Sequence, residues 1–211
     1  QWYRDTKNTL ADAGVELLLD TDNLIDRCWL NRPEAVCNSA LLLDYVFTGE
    51  SSIDKRQRIA VQIKAQGCDA ALIFSPDSVS WLLNIRGMDM PQLPVVQSFA
   101  ILEASGDMTL FVDVRRLPEK FHQHVGSGVM VVDEAGASAS FAAYETHKIL
   151  ADAKNAGAWV QMELVRSGAT LVHGEDPVLL PKACKNAVEL VGTRHAHRRD
   201  AVAEVRFLAW L

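Results

Sequence analysis

The sequence has no surplus of basic residues and no long apolar segment. Its 21 Lys and Arg residues are outnumbered by 27 Asp and Glu residues, for a formal net charge of −6. A nucleic-acid groove requires clustered positive charge, so this composition argues against a nucleic-acid partner. The longest apolar runs, such as Ala70 to Phe74, are far shorter than the roughly 20 residues of a membrane-spanning helix. We therefore predict a protein that binds neither nucleic acid nor membrane.

The sequence also lacks the common motifs of catalysis and metal binding. It contains no H-E-x-x-H zinc motif, no G-x-S-x-G nucleophile elbow and no P-loop. The pairs His122/His124 and His195/His197 lie on predicted helices, where side chains two positions apart point about 200° apart and do not chelate together. The Gly126-Ser127-Gly128 sequence precedes a strand and is predicted to be a simple turn. We therefore predict structural or solvated roles for these histidines and no recognisable nucleophile motif.

Cysteine is sparse, and no two cysteines form a C-x-x-C pair. The four are Cys28, Cys37, Cys68 and Cys184. We predict reduced, buried or half-buried thiols, which indicate a reducing compartment and a cytoplasmic location. A Cys28–Cys37 disulfide is the alternative.

Helical and strand patterns alternate from residue 51 to about residue 180. Ser51 and Asp54 fit an S-x-x-D capping box, Ile59 and Ile63 form an apolar stripe, and Gly67 ends that helix. Further strands are predicted at Ala70–Phe74, Val96–Leu102, Met108–Val112, Val129–Val132, Ala158–Met162 and 178–180, with a hairpin at Ser105–Asp107. Further helices are predicted at Asp77–Leu83, capped by Asp77, at Leu117–Val125, and from Ser138 or Ser140 to about Asn155. This order predicts an α/β fold with a mixed sheet flanked by helices.

The amino-terminal part is less regular. We predict a helix over 3–13 ended by Gly14, a strand at Val15–Leu19, a helix at Asn23–Leu30, and extended loop structure over 31–50.

The last segment, Pro181 to Leu211, is predicted to be a helix that starts near Lys182 or Asn186. Its apolar residues recur at helical spacing, and no Gly or Asn follows as a cap. The chain also opens on Gln1. We expect from these features that the sequence is part of a longer protein.

The stretch from Trp81 to Gly87 places an arginine and a glycine in a loop after a helix. Such loops carry function more often than the elements they join, and arginine binds carboxylates in a bidentate manner. The alternative is that Asn84 and Gly87 only shape a turn while Arg86 pairs with Asp89. The residues alone leave both interpretations open.

Two long motifs resemble those of the three-domain Xaa-Pro aminopeptidases (aminopeptidase P). The first comprises Asp77 to Gly87 followed by Pro94 to Ala100, and resembles the middle domain of these enzymes. The second runs from Lys182 to Ala201 and matches K-x-x-K-N-x-x-E-x-x-G-x-R-x-A-H-x-R-D-A, where their catalytic domain begins. Residues 23–33 resemble the segment that joins their first and second domains.

The resemblance implies a division of the chain into three parts. Residues 1–33 would be the closing helix of a first domain and a linker, 34–181 the creatinase/prolidase-type α/β domain, and 182–211 the first helix of an incomplete pita-bread catalytic domain. The parent enzyme would remove the amino-terminal residue from peptides with proline at the second position. It would use two divalent metal ions, manganese or zinc, held by residues beyond this chain, and the 211 residues alone would be inactive.

The resemblance also implies that the α/β domain forms one wall of the active-site cleft of the parent enzyme and supports a homodimer. Trp81, Arg86 and Asp89 are the predicted substrate-cleft or interface residues. Two alternatives remain open. One is the amino-terminal domain of a prolidase or creatinase relative, and the other is a stand-alone dimerisation or interaction module.

Overall fold

The protein, as a computed structural model, is described over residues 2–18 and 23–211. Two sheets are present in these ranges. A two-stranded pair consists of β1 (Leu41–Leu42) and β3 (Ile85–Arg86). The main sheet consists of β2 (Ala70–Ile73), β4 (Ser98–Glu103), β5 (Met108–Val112), β6 (Val129–Val132), β7 (Lys148–Ala151) and β8 (Thr170–His173). Its spatial order is β6-β5-β4-β2-β7-β8.

Helices cover both faces of the main sheet, and further helices precede its first strand and follow its last strand in the chain. In the described ranges they are α1 (Trp2–Asp12), α2 (Leu24–Cys28), α3 (Tyr45–Thr48), α4 (Ser52–Ala65), α5 (Pro76–Leu82), α6 (Phe121–Val125), α7 (Ala137–Ser140), α8 (Ala158–Arg166), α9 (Leu179–Ala183) and α10 (Ala187–Trp210). Short 3-10 segments lie at Val114–Arg116, Glu134–Gly136 and Phe141–Tyr144.

Strand β2 is central because it is apolar on both faces. All four of its residues are buried, and side chains alternate between the two faces of a strand. Ala71 and Ile73 pack in one core with α4, α5 and α6, while Ala70 and Leu72 pack in the other with α7 and α8. The strand pairs antiparallel with β4 and parallel with β7. The predicted α/β fold with a mixed sheet flanked by helices is confirmed.

Helix α4 follows the sequence pattern closely. Ser51 Oγ accepts a hydrogen bond from the Asp54 backbone N–H at 3.1 Å, and Gly67 ends the helical segment with φ of +69°. Ile59 and Ile63, four residues apart, are fully buried beneath the sheet. The predicted start, stripe and end of this helix are confirmed.

The predicted hairpin at Ser105–Asp107 is also confirmed. Strands β4 and β5 pair antiparallel, and the Glu103 N–H donates to the Asp107 carbonyl at 2.8 Å. Gly106 has φ of +93°, a conformation that glycine adopts without steric cost. The turn therefore supplies the antiparallel pairing of β4 with β5 in the mixed sheet.

The predicted helix from Ser138 or Ser140 to Asn155 is wrong. That stretch contains α7, a 3-10 segment and then strand β7, which lies between β2 and β8. Residues Ile149 to Ala151 are buried on the sheet, and their pairing with β2 and β8 outweighs the helical propensity of the alanine-rich residues before them.

The predicted strands at Ala158–Met162 and 178–180 are wrong as well. The first is the start of α8, where Val160 and Leu164 lie four positions apart and face the core. The second leads into α9. Strand β8, which the pattern did not reveal, pairs parallel with β7 at the edge of the sheet.

The amino-terminal predictions are partly right. The helix over 3–13 is confirmed as α1, with Gly14 at φ of +73° after it. Helix α2 is confirmed but shorter than predicted, and Asn23 caps it by accepting from the Ile25 N–H at 3.0 Å. Residues 15–18 form no strand, and Leu19 lies outside the described residues.

Three further boundaries differ from the prediction. The segment 31–50 contains β1 and α3 as well as loops. Asp77 does not cap α5, because Ser75 holds the N-cap position and Asp77 lies in the first turn. The predicted helix at 117–125 is limited to α6, since the backbone before Phe121 turns at Pro118.

All four cysteines are free thiols, so the alternative Cys28–Cys37 disulfide is wrong. Cys68 is buried and Cys37 is half-buried, as predicted. Cys28 and Cys184 are exposed, contrary to prediction, because they lie at the ends of the short surface helices α2 and α9.

Candidate functional site

Trp81 lies at the end of α5 and contacts the first turn of the last helix. Its side chain is buried, with a relative exposure of 7%. The indole Nε1 donates a hydrogen bond to Glu189 Oε1 at 3.2 Å. Since Trp81 belongs to the first family-like motif and Glu189 to the second, the fold brings the two motifs into direct contact.

Glu189 also belongs to the capping box of α10. Its Oε2 accepts from the Asn186 N–H, and Asn186 Oδ1 accepts from the Glu189 N–H, each at 2.9 Å. The Asn186 side chain in turn donates to the Thr48 carbonyl at 2.7 Å. The start of α10 is therefore both capped locally and bonded to α3 and α5.

Beneath Trp81 lies Lys55, a buried ammonium group on α4. Its Nζ donates to the Trp81 carbonyl at 3.1 Å and to Asn84 Oδ1 at 2.8 Å, and it lies 4.0 Å from the centroid of the Trp81 ring. Burial lowers the pKa of Lys55 to about 8, against the opposing attraction of Glu189 and Glu50.

Asn84 links Lys55 to the chain segment before α4. Its Nδ2 donates to the Glu50 carbonyl at 2.9 Å, while its own carbonyl accepts from the Leu43 N–H and contacts His124 Nε2. Asn84 has φ of +54°, a conformation that asparagine tolerates better than most residues. Asn84 therefore shapes a turn, as the alternative interpretation of this stretch expected, and its side chain is a bridging group as well.

Arg58 and Glu50 form an ion pair beside this site. The guanidinium binds the carboxylate through two hydrogen bonds of 2.9 and 2.7 Å, and it lies 5.6 Å from the Trp81 ring centroid. We call the group formed by Glu50, Lys55, Arg58, Trp81, Asn84, Arg86 and Glu189 the junction cluster.

Arg86 is the third cation of the junction cluster. It lies on β3, opposite Leu41 of β1, and its side chain is half-buried. Its Nη1 donates to the carbonyls of Ile85 at 2.8 Å and Ser80 at 3.5 Å. Burial lowers the pKa of the guanidinium, against the attraction of Glu189.

Gly87 fixes the backbone after Arg86 by a close approach. A Cβ added at this position would overlap the backbone carbonyl of Val95. Only glycine fits here, so the conformation of the loop after β3 is tightly constrained.

Asp89 lies apart from the junction cluster. Its buried carboxylate forms an ion pair with Arg116 and accepts from the Asn38 N–H at 2.7 Å. The alternative pairing of Arg86 with Asp89 is therefore wrong. The structure brings Trp81 and Arg86 together around Lys55 and Glu189, and it places Asp89 at a separate contact between the 34–40 segment and the 114–116 turn.

A second connection runs from α5 to the segment before α10. Ser78 Oγ donates to Asp176 Oδ2 at 2.6 Å, Lys182 Nζ donates to Ser78 Oγ at 3.3 Å, and Lys182 forms an ion pair with Asp77. Burial raises the pKa of Asp176, against the hydrogen bond from Ser78. Helix α5 therefore holds both the segment around α9 and the first turn of α10.

The sequence pattern indicates Trp81 and Arg86 but not Lys55. A usable signal was present, because Lys55 precedes Ile59 and Ile63 at four-residue intervals and so lies on the buried face of α4. A lysine on an apolar stripe needs buried acceptors, and the carbonyl of Trp81 and the side chain of Asn84 provide them.

No group of three or more His, Cys, Asp or Glu side chains within residues 2–18 and 23–211 is arranged to hold a metal ion. In the same ranges, no helix combines the length and apolar character needed to cross a bilayer.

Comparison with known proteins identifies relatives along the whole chain. A family model described as the Creatinase/Prolidase N-terminal domain matches residues 31–189. Xaa-Pro aminopeptidase 1 of Dictyostelium discoideum is 32% identical over 220 aligned residues, which cover 100% of this chain and 34% of that protein. The chain thus spans about a third of the length of the curated relatives it matches.

Two solved structures extend this similarity to the fold. An X-prolyl aminopeptidase from Caenorhabditis elegans, described as a cytosolic enzyme with a di-nuclear active site, has a TM-score of 0.88 at 28% identity. The match covers 99% of this chain and 35% of that chain. A Xaa-Pro dipeptidase from Bacillus anthracis has a TM-score of 0.60 at 13% identity, over 76% of this chain and 44% of that chain, and shares the fold alone.

Proposed function

Because this chain belongs to the Creatinase/Prolidase N-terminal domain family, we propose that it is the non-catalytic amino-terminal and middle segment of a Xaa-Pro aminopeptidase. The parent enzyme removes the amino-terminal residue from peptides with proline at the second position. The observation that carries the proposal is the similarity to Xaa-Pro aminopeptidases along the whole of this chain and over about a third of theirs.

The parent enzyme is proposed to be a cytoplasmic metallopeptidase with two divalent metal ions, manganese or zinc. The di-nuclear site described for the Caenorhabditis enzyme supports two ions. The metal ligands and catalytic residues would lie in a region of the parent enzyme outside these 211 residues, which corresponds to the unmatched part of the relatives. The metals would activate water for attack on the scissile carbonyl.

The proposed division places a closing helix and linker at 1–33, the α/β domain at 34–181 and the first catalytic-domain helix at 182–211. The contacts of α10 support the last boundary. Its first turn is bonded to Thr48 and Trp81, whereas its residues from Ala201 to Trp210 are all exposed. Such a helix is well suited to link the α/β domain to another folded unit.

We further propose that the segment walls the active-site cleft and supports a homodimer. The junction cluster supports a positioning role, because Trp81 and Arg86 lie where the α/β domain meets α10. Asp89 would contribute indirectly, by holding the 34–40 segment next to the Arg116 turn.

The two alternatives predict different behaviour. A prolidase or creatinase relative shares the fold, but the dipeptidase structure resembles this chain less closely in sequence and over less of its length than the aminopeptidases do. A stand-alone interaction module would have no enzyme attached to α10, and the reading frame downstream of Leu211 would then lack the spaced Asp, Asp, His, Glu and Glu residues of the catalytic domain.

Peptidase assays test the proposal directly. The full-length protein and the 211-residue chain are each incubated with manganese and a Xaa-Pro-Xaa tripeptide. We expect release of the first residue by the full-length protein alone. Release by the 211 residues alone, or release only from dipeptides by the full-length protein, would contradict the proposal.

The cleft-wall role has its own assay. Arg86→Ala is introduced into the full-length enzyme, and kcat/KM is measured on a tripeptide. We expect a reduced value, because Arg86, on β3, lies at the proposed cleft boundary. An unchanged kcat/KM would exclude the cleft-wall role of Arg86 while leaving the aminopeptidase proposal intact.

A further inference from the structure

Arg86 has one edge of its guanidinium without a partner among the described residues. Its two hydrogen bonds both use Nη1, and both go to neutral backbone carbonyls. Across residues 2–18 and 23–211, no carboxylate lies within ion-pair distance of Arg86. The edge formed by Nε and Nη2 is therefore available, and this is an edge through which arginine binds a carboxylate with two parallel hydrogen bonds.

The charges around Arg86 are not balanced. The charged side chains that act on Lys55 are the carboxylates of Glu50 and Glu189 and the cations of Arg58 and Arg86. With Lys55 itself, three cations face two carboxylates. Arg58 already binds Glu50 in bidentate geometry, and Glu189 is bonded to Trp81 and to the Asn186 N–H. Within the described part of the chain, Lys55 and Arg86 therefore both lack a direct carboxylate partner, and of these two cations only Arg86 is half-buried rather than buried.

Arg86 is also held in place before any ligand arrives. Its backbone is paired with Leu41, and the next residue, Gly87, lies in close contact with Val95. Its Nη1 donates to the carbonyls of Ile85, in the same strand, and Ser80, in α5. A guanidinium fixed in this way loses little conformational freedom on binding, so each hydrogen bond contributes more to affinity.

From this arrangement we propose that the Nε–Nη2 edge of Arg86 binds a carboxylate group, and that the carboxylate is the free carboxyl terminus of a short peptide. The inference that the ligand group is a carboxylate rests on the position and the unbonded donors of Arg86 in this chain. The assignment to a peptide terminus rests on the proposed aminopeptidase function. The other source of the same chemistry is an acidic side chain elsewhere in the longer polypeptide.

The test uses the 211-residue chain and the Nε–Hε resonance of Arg86 in nitrogen–proton NMR spectra. Acetate alone is titrated first, followed by an acetylated tripeptide with a free carboxyl terminus and by the same tripeptide with an amide terminus. Arg115 is the internal control, because its Nε and Nη2 are already bonded to Asp113. We expect saturable movement of the Arg86 resonance with acetate and with the free-acid peptide, and none for Arg115.

Two variants of Arg86 distinguish the effect of its paired Nε and Nη2 donors from the effect of its positive charge. Arg86→Lys keeps the cation but loses the paired donors, so affinity for the free-acid peptide should fall about tenfold, the loss of one charge-assisted hydrogen bond. Arg86→Met should abolish saturable binding. The matched control Arg115→Lys should leave the affinity unchanged.

The outcomes distinguish the possible sources. Movement with acetate and a preference for the free-acid peptide over its amide support the whole proposal. If the Arg86 resonance shifts with acetate but the free-acid and amide peptides bind equally, the peptide assignment is overturned and an acidic side chain is supported as the partner. An Arg86 resonance that does not respond to acetate overturns the carboxylate site, and none of these results depends on peptidase activity.

Discussion

The indole N–H of Trp81 donates to the carboxylate of Glu189 across 108 positions of sequence, at 3.2 Å. This bond joins the helix that follows the central strand to the first turn of the longest helix of the described chain. Because the same carboxylate completes the capping box of α10, the orientation of α10 depends on the position of Trp81.

Replacing Trp81 by Phe should weaken the contact between α5 and α10 while an aromatic ring still fills the site. The ring stays available to the Lys55 ammonium, but the hydrogen bond to Glu189 is lost. The free energy of unfolding, from urea denaturation, should fall by about 1–2 kcal/mol. The control is Trp159→Phe on α8, where the side chain is 49% exposed, and its effect should stay within about 0.5 kcal/mol. Equal effects of the two substitutions would mean that the Trp81–Glu189 bond contributes nothing measurable.

Lys55 should make stability depend on alkaline pH. Its pKa is about 8 in the folded chain, against an ordinary value of 10.5, so the unfolded chain binds more protons between these two values. The free energy of unfolding should therefore rise as pH increases from about 8 to 10.5, by up to about 3 kcal/mol from this group alone.

The variant Lys55→Met removes this contribution, so the difference between its pH profile and that of the unmodified chain isolates it. Lys64→Met, at a position of the same helix outside the buried face, serves as the control and should retain the rise. Parallel profiles for the unmodified chain and Lys55→Met between pH 8 and 10.5 would show that Lys55 titrates normally.

Gly87→Ala should destabilise the loop after β3. The added methyl group overlaps the Val95 carbonyl, and backbone atoms cannot move aside as a flexible side chain does. We expect a loss of about 1–3 kcal/mol in the free energy of unfolding. The matched control is Gly192→Ala, because the position lies inside α10 with open space around it, and alanine should stabilise the helix by up to about 1 kcal/mol. A neutral Gly87→Ala variant would contradict the close backbone approach.

Asp89→Asn tests the partner assignment of this carboxylate. Removing the charge leaves the buried Arg116 guanidinium without its anion, which should cost about 3–5 kcal/mol. A double-mutant cycle of Asp89→Asn with Arg116→Met should show strong coupling, whereas a cycle with Arg86→Met should show little. The exposed pair of Arg166 with Glu163 is the reference, since Arg166→Gln should cost at most about 1 kcal/mol. Strong coupling of Asp89 to Arg86 would instead support the Arg86–Asp89 ion pair and contradict the contacts described above.

Local patterns predicted those elements whose ends and faces carry their own signals. Helix α4 has a cap at Ser51, an isoleucine stripe and a terminal glycine, and the β4–β5 hairpin has Gly106 at a positive φ. Strand β7 lacks such signals. Its four residues follow an alanine-rich stretch with helical propensity, and only the neighbouring strands β2 and β8 make it a strand.

The candidate site was predictable to a similar extent. Trp81 and Arg86 were predicted because they belong to a long motif, and the structure places both in the junction cluster. Lys55 was missed, although its spacing from Ile59 placed it on the buried face of α4. The alternative pairing of Asp89 with Arg86, which the sequence left open, rested on their closeness in the chain, whereas the fold brings Arg116 to Asp89 instead.

Residues close together in the chain are enough to establish the α/β class, the central apolar strand, the capped start of α10 and the resemblance to one enzyme family. Spacing and side-chain chemistry act directly over such short separations. Which charges meet depends instead on how the helices and strands pack. Lys55, Trp81, Arg86 and Glu189 come together because α4, α5, β3 and α10 pack against one another, and burial then strengthens the hydrogen bonds and charge interactions among them.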